Sequence, residues 1–184
     1  MSVADNAWVN PPNLISLSRV LLIIPTAYGI LAAHALLSVL GFGLIIISDI
    51  LDGATARRLN IRNPHGTLID HGADALTVVC LCSVFSHFAL CPPILPALIA
   101  LAFGQYALDA THTNGRRPRP SKLGKFNGVS YFLFCGACLV LELTKISLAQ
   151  ETFNALRLAI IIFAWSLIVS TLASIGQRAL LYKP

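Results

Sequence analysis

The sequence predicts an all-α, polytopic integral membrane protein with six transmembrane helices. Apolar residues make up 56% of the 184 residues and charged residues only 11%, and the mean hydropathy is +0.75, values that depart from globular averages toward membrane proteins. Six apolar segments are each long enough to cross a hydrocarbon core, which needs roughly 20 residues. Basic residues gather in alternate connections between these segments. We therefore expect a single membrane domain over residues 1–184, with a short juxtamembrane segment over residues 1–12.

The first helix is predicted to follow Pro11 and Pro12, with Asn13 as its N-cap and Trp8 at the membrane interface. Arg19 is the first basic residue of the chain. Because the segment lacks the basic start of a signal peptide, we expect it to be retained as a membrane helix. The six predicted segments cover about residues 14–35, 36–58, 67–91, 93–112, 126–147 and 155–181.

The distribution of basic residues predicts the orientation in the membrane. Connections near residues 58–66 and 113–125 contain Arg58, Arg62, Arg116, Arg117, Arg119, Lys122 and Lys125, whereas those near residues 35 and 92 contain no Lys or Arg. Positive-inside bias therefore places both basic loops and both termini in the cytoplasm, of a bacterial or archaeal inner membrane or an organelle membrane. The net charge of +5 reports this topology, and nucleic acid is not an expected partner.

The five cysteines fall in or at the ends of predicted spans. A Cys135-x-x-Cys138 pair inside a membrane helix is interpreted as packing rather than as redox or metal chemistry. His65 and His71 lie within residues 48–74, a segment rich in aspartate, and are candidates for ligand contact.

Four of the eight acidic residues lie between residues 48 and 74, where the second helix ends and the third begins. Asp49 and Asp52 are spaced i, i+3, and Asp70 and Asp74 are spaced i, i+4, so each pair shares a helical face. A charged side chain costs roughly 2.5–3.5 kcal/mol at the membrane centre by insertion scales. Hard divalent cations would offset this cost, and oxygen ligands favour magnesium, manganese or calcium over zinc. The spacing therefore predicts a metal site.

Glycines and an arginine accompany the aspartates. Gly53 and Gly66 allow a bulky ligand to approach the backbone, and Arg57 offers a guanidinium fork suited to phosphate. Carboxylates, metal and arginine together indicate phosphoryl chemistry.

The acidic segment resembles, without a gap, the signature of the CDP-alcohol phosphotransferase family: Asp49-x2-Asp52-Gly53-x2-Ala56-Arg57-x8-Gly66-x3-Asp70-x3-Asp74. The segment PNLISLSR is similar to a weaker element that opens the first helix in many members. The resemblance implies a phospholipid-synthesising transferase that displaces CMP from a CDP-linked substrate, usually CDP-diacylglycerol, by the hydroxyl of a second alcohol. It also implies a polar cavity that faces the cytoplasm and is surrounded by the six helices.

The resemblance also implies roles for individual residues. Two Mg²⁺ or Mn²⁺ ions would be held by Asp49, Asp52 and Asp70, with Asp74 completing the site and acting as the general base. The CDP group would be lined by Asp52, Gly53, Ala56, Arg57, Gly66 and Asp70. Two ions that bridge the diphosphate would neutralise charge and stabilise the leaving CMP oxygen.

The acceptor alcohol is predicted less directly. The basic residues Lys125, Arg116, Arg117 and Arg119 suit a phosphorylated polyol such as glycerol 3-phosphate or inositol phosphate, with Gly124 as a flexible residue before the fifth helix. Contact with anionic lipid is the alternative explanation of this loop. The sequence DHGAD at residues 70–74 resembles choline and ethanolamine phosphotransferases instead, so choline, ethanolamine or serine remains an alternative acceptor.

Members of the family commonly form homodimers, and small residues of the third and fourth helices are candidate contacts: Ala73, Ser83, Ala97 and Ala100. Two other classes fit less well. An intramembrane prenyltransferase of the UbiA type would need a different pattern at Ser48 and Ala56 and more helices, and a cation transporter would not need Gly53, Arg57 and Gly66 at these spacings.

Overall fold

The computed structural model describes residues 11–58, 64–112 and 122–181, and these residues contain α-helices and no strands. The prediction of an all-α protein with six helices is confirmed. The helices are α1 (Pro11–Leu31), α2 (Ala35–Arg58), α3 (Pro64–His87), α4 (Ile94–His112), α5 (Lys122–Thr144) and α6 (Gln150–Leu181).

Four predicted helix starts, those of α1, α3, α5 and α6, are three to five residues too late. Helix α1 already begins at Pro11, so Asn13 is not its N-cap but a buried residue of its first turn; proline is well tolerated there because first-turn N–H groups have no partner within the helix. Helix α5 begins at Lys122, four residues earlier than predicted. Gly124 is therefore helical and is not a flexible residue before the helix. Trp8 lies outside the described residues.

The helices are long and apolar enough for a membrane protein. Five of them contain a span that meets the length and hydropathy expected of a membrane crossing, whereas the apolar part of α4, Ile94–Asp109, is shorter. Many large apolar side chains on these helices are exposed, among them Leu21, Ile24 and Val169. Lipid tails can cover such side chains, whereas water would leave them unfavourably hydrated. The chain is an integral membrane protein.

The described residues form two compact units, and α3 and α4 each contribute to both. The first unit contains the described residues up to Thr77 and those from Tyr106 to His112. The second contains residues 78–105 and the described residues from Lys122 onward.

Close packing of α1 against α2 organises the first unit. A Cβ atom at Gly41 of α2 would overlap Oγ1 of Thr26 on α1, and a Cβ at Gly29 would lie 2.9 Å from the backbone nitrogen of Ser38. Thr26 is completely buried. Ala33, with a φ of 56°, turns the chain between the two helices. Small residues at these crossings let two membrane helices approach closely, so α1 and α2 form a fixed pair.

Hydrogen bonds between side chains join α5 and α6 in the second unit. The hydroxyls of Tyr131 and Thr171 are 2.6 Å apart, and Ser170 donates to Oδ1 of Asn127 at 2.5 Å. Asn127 and Thr171 are buried. In lipid, the hydrophobic effect contributes little to the association of helices, so hydrogen bonds between helices help to stabilise their packing.

The cysteines of the second unit lie in its core. Four of them are buried, namely Cys82, Cys91, Cys135 and Cys138, and all five cysteines of the chain are free thiols. Sγ of Cys82 lies 3.8 Å from Sγ of Cys135. The Cys135-x-x-Cys138 pair thus lies among buried side chains, and its role as packing material stays a prediction.

The predicted dimer contacts differ in exposure. Ser83, Ala97 and Ala100 are exposed. Ala73 is only 4% exposed within its own chain, so the prediction that it contributes to a dimer interface is wrong. Ala73 follows Asp70 by three positions and therefore lies on the same face of α3 as the aspartates. This face packs within the first unit, which explains the burial of Ala73.

Candidate active site

The four predicted aspartates come together from the second half of α2 and the first half of α3. Asp49 and Asp52 are three positions apart on α2, and Asp70 and Asp74 are four positions apart on α3, so each helix presents its two carboxylates on one side. One carboxylate oxygen from each of Asp49, Asp70 and Asp74 lies within 4.8 Å of the others. The structure thus brings together acids that are up to 25 positions apart in the sequence.

Arg19 of α1 lies among these carboxylates and contacts all four. Its Nη2 is 3.2 Å from Oδ1 of Asp49, 2.5 Å from Oδ2 of Asp52 and 3.5 Å from Oδ1 of Asp70. Its Nη1 donates a hydrogen bond to Oδ1 of Asp74. The arginine is completely buried. Buried charges in proteins are stable when they are paired in this way.

Arg19 is not among the site residues that the sequence predicts. In the sequence it stands out only as the first basic residue and as part of the PNLISLSR segment. A stronger signal was available, because a single arginine in an otherwise apolar membrane helix needs an acidic partner. The partner residues lie 30 or more positions away, on α2 and α3, so the pairing depends on how α1, α2 and α3 pack together.

The deep part of the site consists of Asp52, Arg19 and two serines. Asp52 is 4% exposed and accepts a hydrogen bond of 2.9 Å from Oγ of Ser16 in addition to its bond with Arg19. Nε of Arg19 donates to Oγ of Ser48 at 3.3 Å, and that hydroxyl donates to the carbonyl of Ile45 at 2.7 Å. These bonds hold Nε and Nη2 of the guanidinium, whereas Nη1 donates to Asp74.

The other three aspartates are more accessible. The side chains of Asp49, Asp70 and Asp74 are 48%, 32% and 31% exposed. Converging, partly accessible carboxylate oxygens are the donor set that Mg²⁺ and Mn²⁺ prefer, so these residues fit the predicted divalent ions. Asp52, the fourth predicted ligand, is engaged by Arg19 and Ser16 in this arrangement.

The predicted CDP-lining residues lie on the same two helices. Gly53 follows Asp52 on α2, Gly66 precedes Asp70 by one helical turn on α3, and both glycines are partly buried. Ala56 and Arg57 belong to α2, but their side chains are outside the described part of the structure, as is the side chain of His65.

His71 lies beside the acidic cluster. Its Nδ1 is 3.8 Å from Oδ2 of Asp70, and its ring stacks on that of Tyr106 from α4, with ring centroids 5.3 Å apart and planes 16° from parallel. The sequence marked His71 as a candidate for ligand contact but did not connect it with Tyr106, which is 35 positions away.

Of the predicted acceptor-binding residues, the structure describes Lys125. It lies in the first turn of α5, in the second unit, and is exposed. Arg116, Arg117 and Arg119 lie outside the described residues.

Comparison with known proteins identifies the family. The chain matches the family model of the CDP-alcohol phosphatidyltransferases over residues 9–173, a segment that includes the site described above. This match confirms the resemblance that the sequence motif indicated.

Individual relatives are also similar. Proteins of Mycobacterium tuberculosis and Mycobacterium bovis, each described as a putative cardiolipin synthase, are 34% identical over 95 residues, which is 49% of this chain and 44% of the relative. The matched segment thus spans less than half the length of these relatives. A CDP-diacylglycerol–glycerol-3-phosphate 3-phosphatidyltransferase of Aquifex aeolicus is 29% identical over 168 residues, 85% of this chain and 92% of the relative. Because the family match covers most of the chain and includes the four-aspartate site, the chain belongs to the CDP-alcohol phosphatidyltransferase family.

Proposed function

We propose that the protein is a phosphatidyltransferase of phospholipid synthesis that transfers the phosphatidyl group of CDP-diacylglycerol to an alcohol. The acceptor hydroxyl oxygen forms a bond to the phosphorus that carries the diacylglycerol. The bond from this phosphorus to the CMP oxygen breaks, and CMP leaves with the electron pair of that bond. The products are a phosphodiester lipid and CMP.

One observation carries this proposal: three carboxylate oxygens, from Asp49, Asp70 and Asp74, lie within 4.8 Å of one another on two neighbouring helices of a membrane protein. Carboxylates in that setting are costly unless a cation compensates for their charge. The family match over residues 9–173 supports a CDP-linked substrate.

The aspartates would hold Mg²⁺ or Mn²⁺, with two ions expected. When bound, the ions neutralise diphosphate charge and stabilise the leaving oxygen of CMP. Asp49 and Asp70 offer accessible oxygens for this purpose, whereas Asp52 is held deeper by Ser16 and Arg19. Gly53 and Gly66 leave the backbone open to the CDP group.

Asp74 is the proposed general base. Its side chain is 31% exposed, a partly accessible position. There it can receive the proton of an acceptor hydroxyl as that oxygen attacks phosphorus.

A phosphorylated polyol, with glycerol 3-phosphate first, is the proposed acceptor. The relative from Aquifex aeolicus, which aligns over 92% of its length, is described as acting on glycerol 3-phosphate, and this supports the choice. Lys125 in the first turn of α5 also supports it, because a helix N-terminus and a lysine both attract phosphate. The DHGAD sequence at residues 70–74 favours a second candidate, the transfer to choline, ethanolamine or serine.

The proposed orientation places the site and both termini on the cytoplasmic side.

The proposed assembly is a homodimer. Ser83, Ala97 and Ala100 are exposed on α3 and α4 and remain the candidate contacts. An active monomer in both detergent and lipid nanodiscs would refute the dimer.

The function is tested by incubating the purified protein with CDP-diacylglycerol, Mg²⁺ or Mn²⁺ and one acceptor at a time, and by measuring CMP release and the lipid product. Glycerol 3-phosphate and inositol phosphate are compared with choline, ethanolamine and serine. We expect CMP release that depends on a phosphorylated polyol and on the divalent ion. No CMP release with any acceptor, from a folded protein, would exclude the proposed activity.

A matched control is Glu151→Gln, which removes an exposed carboxylate at the start of α6. It should retain wild-type CMP release, whereas Asp49→Asn, the same chemical change inside the site, should lose it.

A further inference from the structure

Arg19 has a position that the proposed reaction does not by itself require. Its guanidinium is completely buried and contacts the four aspartates that are the predicted metal ligands. When the four carboxylates are ionised, they and the arginine together carry a formal charge of −3. An uncompensated group of this charge would be strongly unfavourable in a site partly removed from water.

The arginine and a divalent ion would contact the same three carboxylates. Nη2 of Arg19 faces Oδ1 of Asp49 and Oδ1 of Asp70, and Nη1 donates to Oδ1 of Asp74. These three residues are the ones whose carboxylate oxygens converge. A divalent ion bound to them at the usual distance of about 2.0–2.6 Å would lie next to the guanidinium. Two positive groups so close repel each other, so each weakens the binding of the other.

Arg19 also bonds Asp52 and Ser48, which do not belong to the three converging carboxylates. Asp52 is buried and also bonded to Ser16, and Ser48 holds Nε of the arginine. Nη2 bonds Asp52 and also faces Asp49 and Asp70. The arginine can therefore keep its bonds to Ser48 and Asp52 if the carboxylates of Asp49 and Asp70 turn from Nη2 toward the ion.

We propose that Arg19 is a positioning residue that serves as the internal counter-ion of the four aspartates. It holds them together when no divalent ion is bound, yields Asp49, Asp70 and Asp74 to the ion, and retains Asp52. This inference rests on the proposed function in that it takes the aspartates to be metal ligands. It implies that Arg19 lowers the affinity for the ion and stabilises the protein without it.

The test measures Mn²⁺ binding and thermal unfolding, neither of which depends on turnover. Binding is followed by the electron paramagnetic resonance signal of free Mn²⁺, for the purified wild type, Arg19→Gln and Arg157→Gln. The last variant makes the same chemical change on α6 and should behave like the wild type. Arg19→Gln should bind Mn²⁺ at least about fivefold more tightly, the lower end of typical coupling between two ligands. Without ions it should unfold at a lower temperature, and Mn²⁺ should raise its unfolding temperature by more than that of the wild type.

A role in structure alone predicts the opposite binding result. If Arg19 only held the carboxylates in place, its removal would weaken Mn²⁺ binding. A folded Arg19→Gln protein with unchanged or weaker affinity would therefore overturn the proposal.

Ser48→Ala keeps the proposal testable if Arg19→Gln does not fold. This variant retains the charge but removes the acceptor of the Nε bond, so the arginine should compete less well and Mn²⁺ should bind more tightly than in the wild type. Unchanged or weaker Mn²⁺ binding in Ser48→Ala would count against the proposal.

The two proposals fail separately. Wild-type protein that binds Mn²⁺ through Asp49 but releases no CMP contradicts the proposed function, while tighter binding in Arg19→Gln still supports the counter-ion role. Normal CMP release with unchanged Mn²⁺ affinity in Arg19→Gln contradicts only the counter-ion role.

Discussion

The Oγ1 atom of Thr26 on α1 occupies the space that a side chain at Gly41 on α2 would need. Thr26 is completely buried, and its hydroxyl donates to the carbonyl of Leu22 at 2.6 Å, so it has little freedom to move. This contact sets the distance between the helix that carries Arg19 and the helix that carries Asp49 and Asp52.

Gly41→Ala should therefore destabilise the protein. Overpacking a well-packed contact typically costs about 1–3 kcal/mol, and a lower unfolding temperature in detergent would show it. Gly43→Ala is the matched control on the same helix, because a Cβ there would have no atom within 4 Å. Thr26→Ala should restore part of the stability of Gly41→Ala. Equal unfolding temperatures for the two alanine variants would contradict the packing argument.

Removal of any one of three carboxylates should abolish turnover. Asp49→Asn, Asp52→Asn and Asp70→Asn each keep the shape of the side chain but remove its charge. At Asp49 and Asp70 this weakens Mg²⁺ or Mn²⁺ binding, and at Asp52 it removes the carboxylate that retains Arg19. CMP release and Mn²⁺ affinity are the measurements, and Glu151→Gln serves as the control. Activity of the wild type that persists in excess chelator would show that the site does not work through a divalent ion.

Asp74→Asn should separate chemistry from substrate binding. The amide preserves the shape of the side chain but cannot accept the acceptor's proton. We expect substantial binding of CDP-diacylglycerol, measured with the purified variant, together with loss of turnover. If the variant turned over within about threefold of the wild type, Asp74 would not be the general base.

Lys125→Ala should affect the acceptor rather than the lipid substrate. If the acceptor carries a phosphate, loss of a charge-assisted contact of ~1.5–3 kcal/mol should reduce kcat/KM for the acceptor by roughly tenfold or more. Binding of CDP-diacylglycerol should change little. Lys145→Ala, which removes a partly exposed lysine paired with Glu142, is the control. A wild-type enzyme that uses choline, ethanolamine or serine but no phosphorylated polyol would exclude this role of Lys125.

Much of the fold was predictable because lipid imposes simple rules on a sequence. Each membrane helix needs a long apolar segment, and the six segments were identified with errors of a few residues. The paired aspartates were predictable for a related reason, since their i, i+3 and i, i+4 spacing within single helices places each pair on one face.

Features that depend on contact between helices were not predictable in the same way. The pairing of Arg19 with Asp74 joins residues 55 positions apart, and the stacking of His71 on Tyr106 joins α3 to α4. Neither leaves a periodic pattern in the sequence. The burial of Ala73 was missed for the same reason, because a small residue suits a contact within the chain as well as one between chains.

A buried arginine in the first membrane helix also bears on how the chain enters the bilayer during synthesis. Helix α1 leaves the ribosome before α2 and α3, so Arg19 first meets the membrane without Asp52, Asp70 or Asp74. An arginine at the helix centre costs roughly 2.5–3.5 kcal/mol on insertion scales, and less toward the interface. We therefore expect stable insertion of α1 to depend on the arrival of the later helices. Truncated chains that end before Asp70 should integrate α1 less efficiently than the full chain, and Arg19→Leu should remove that dependence.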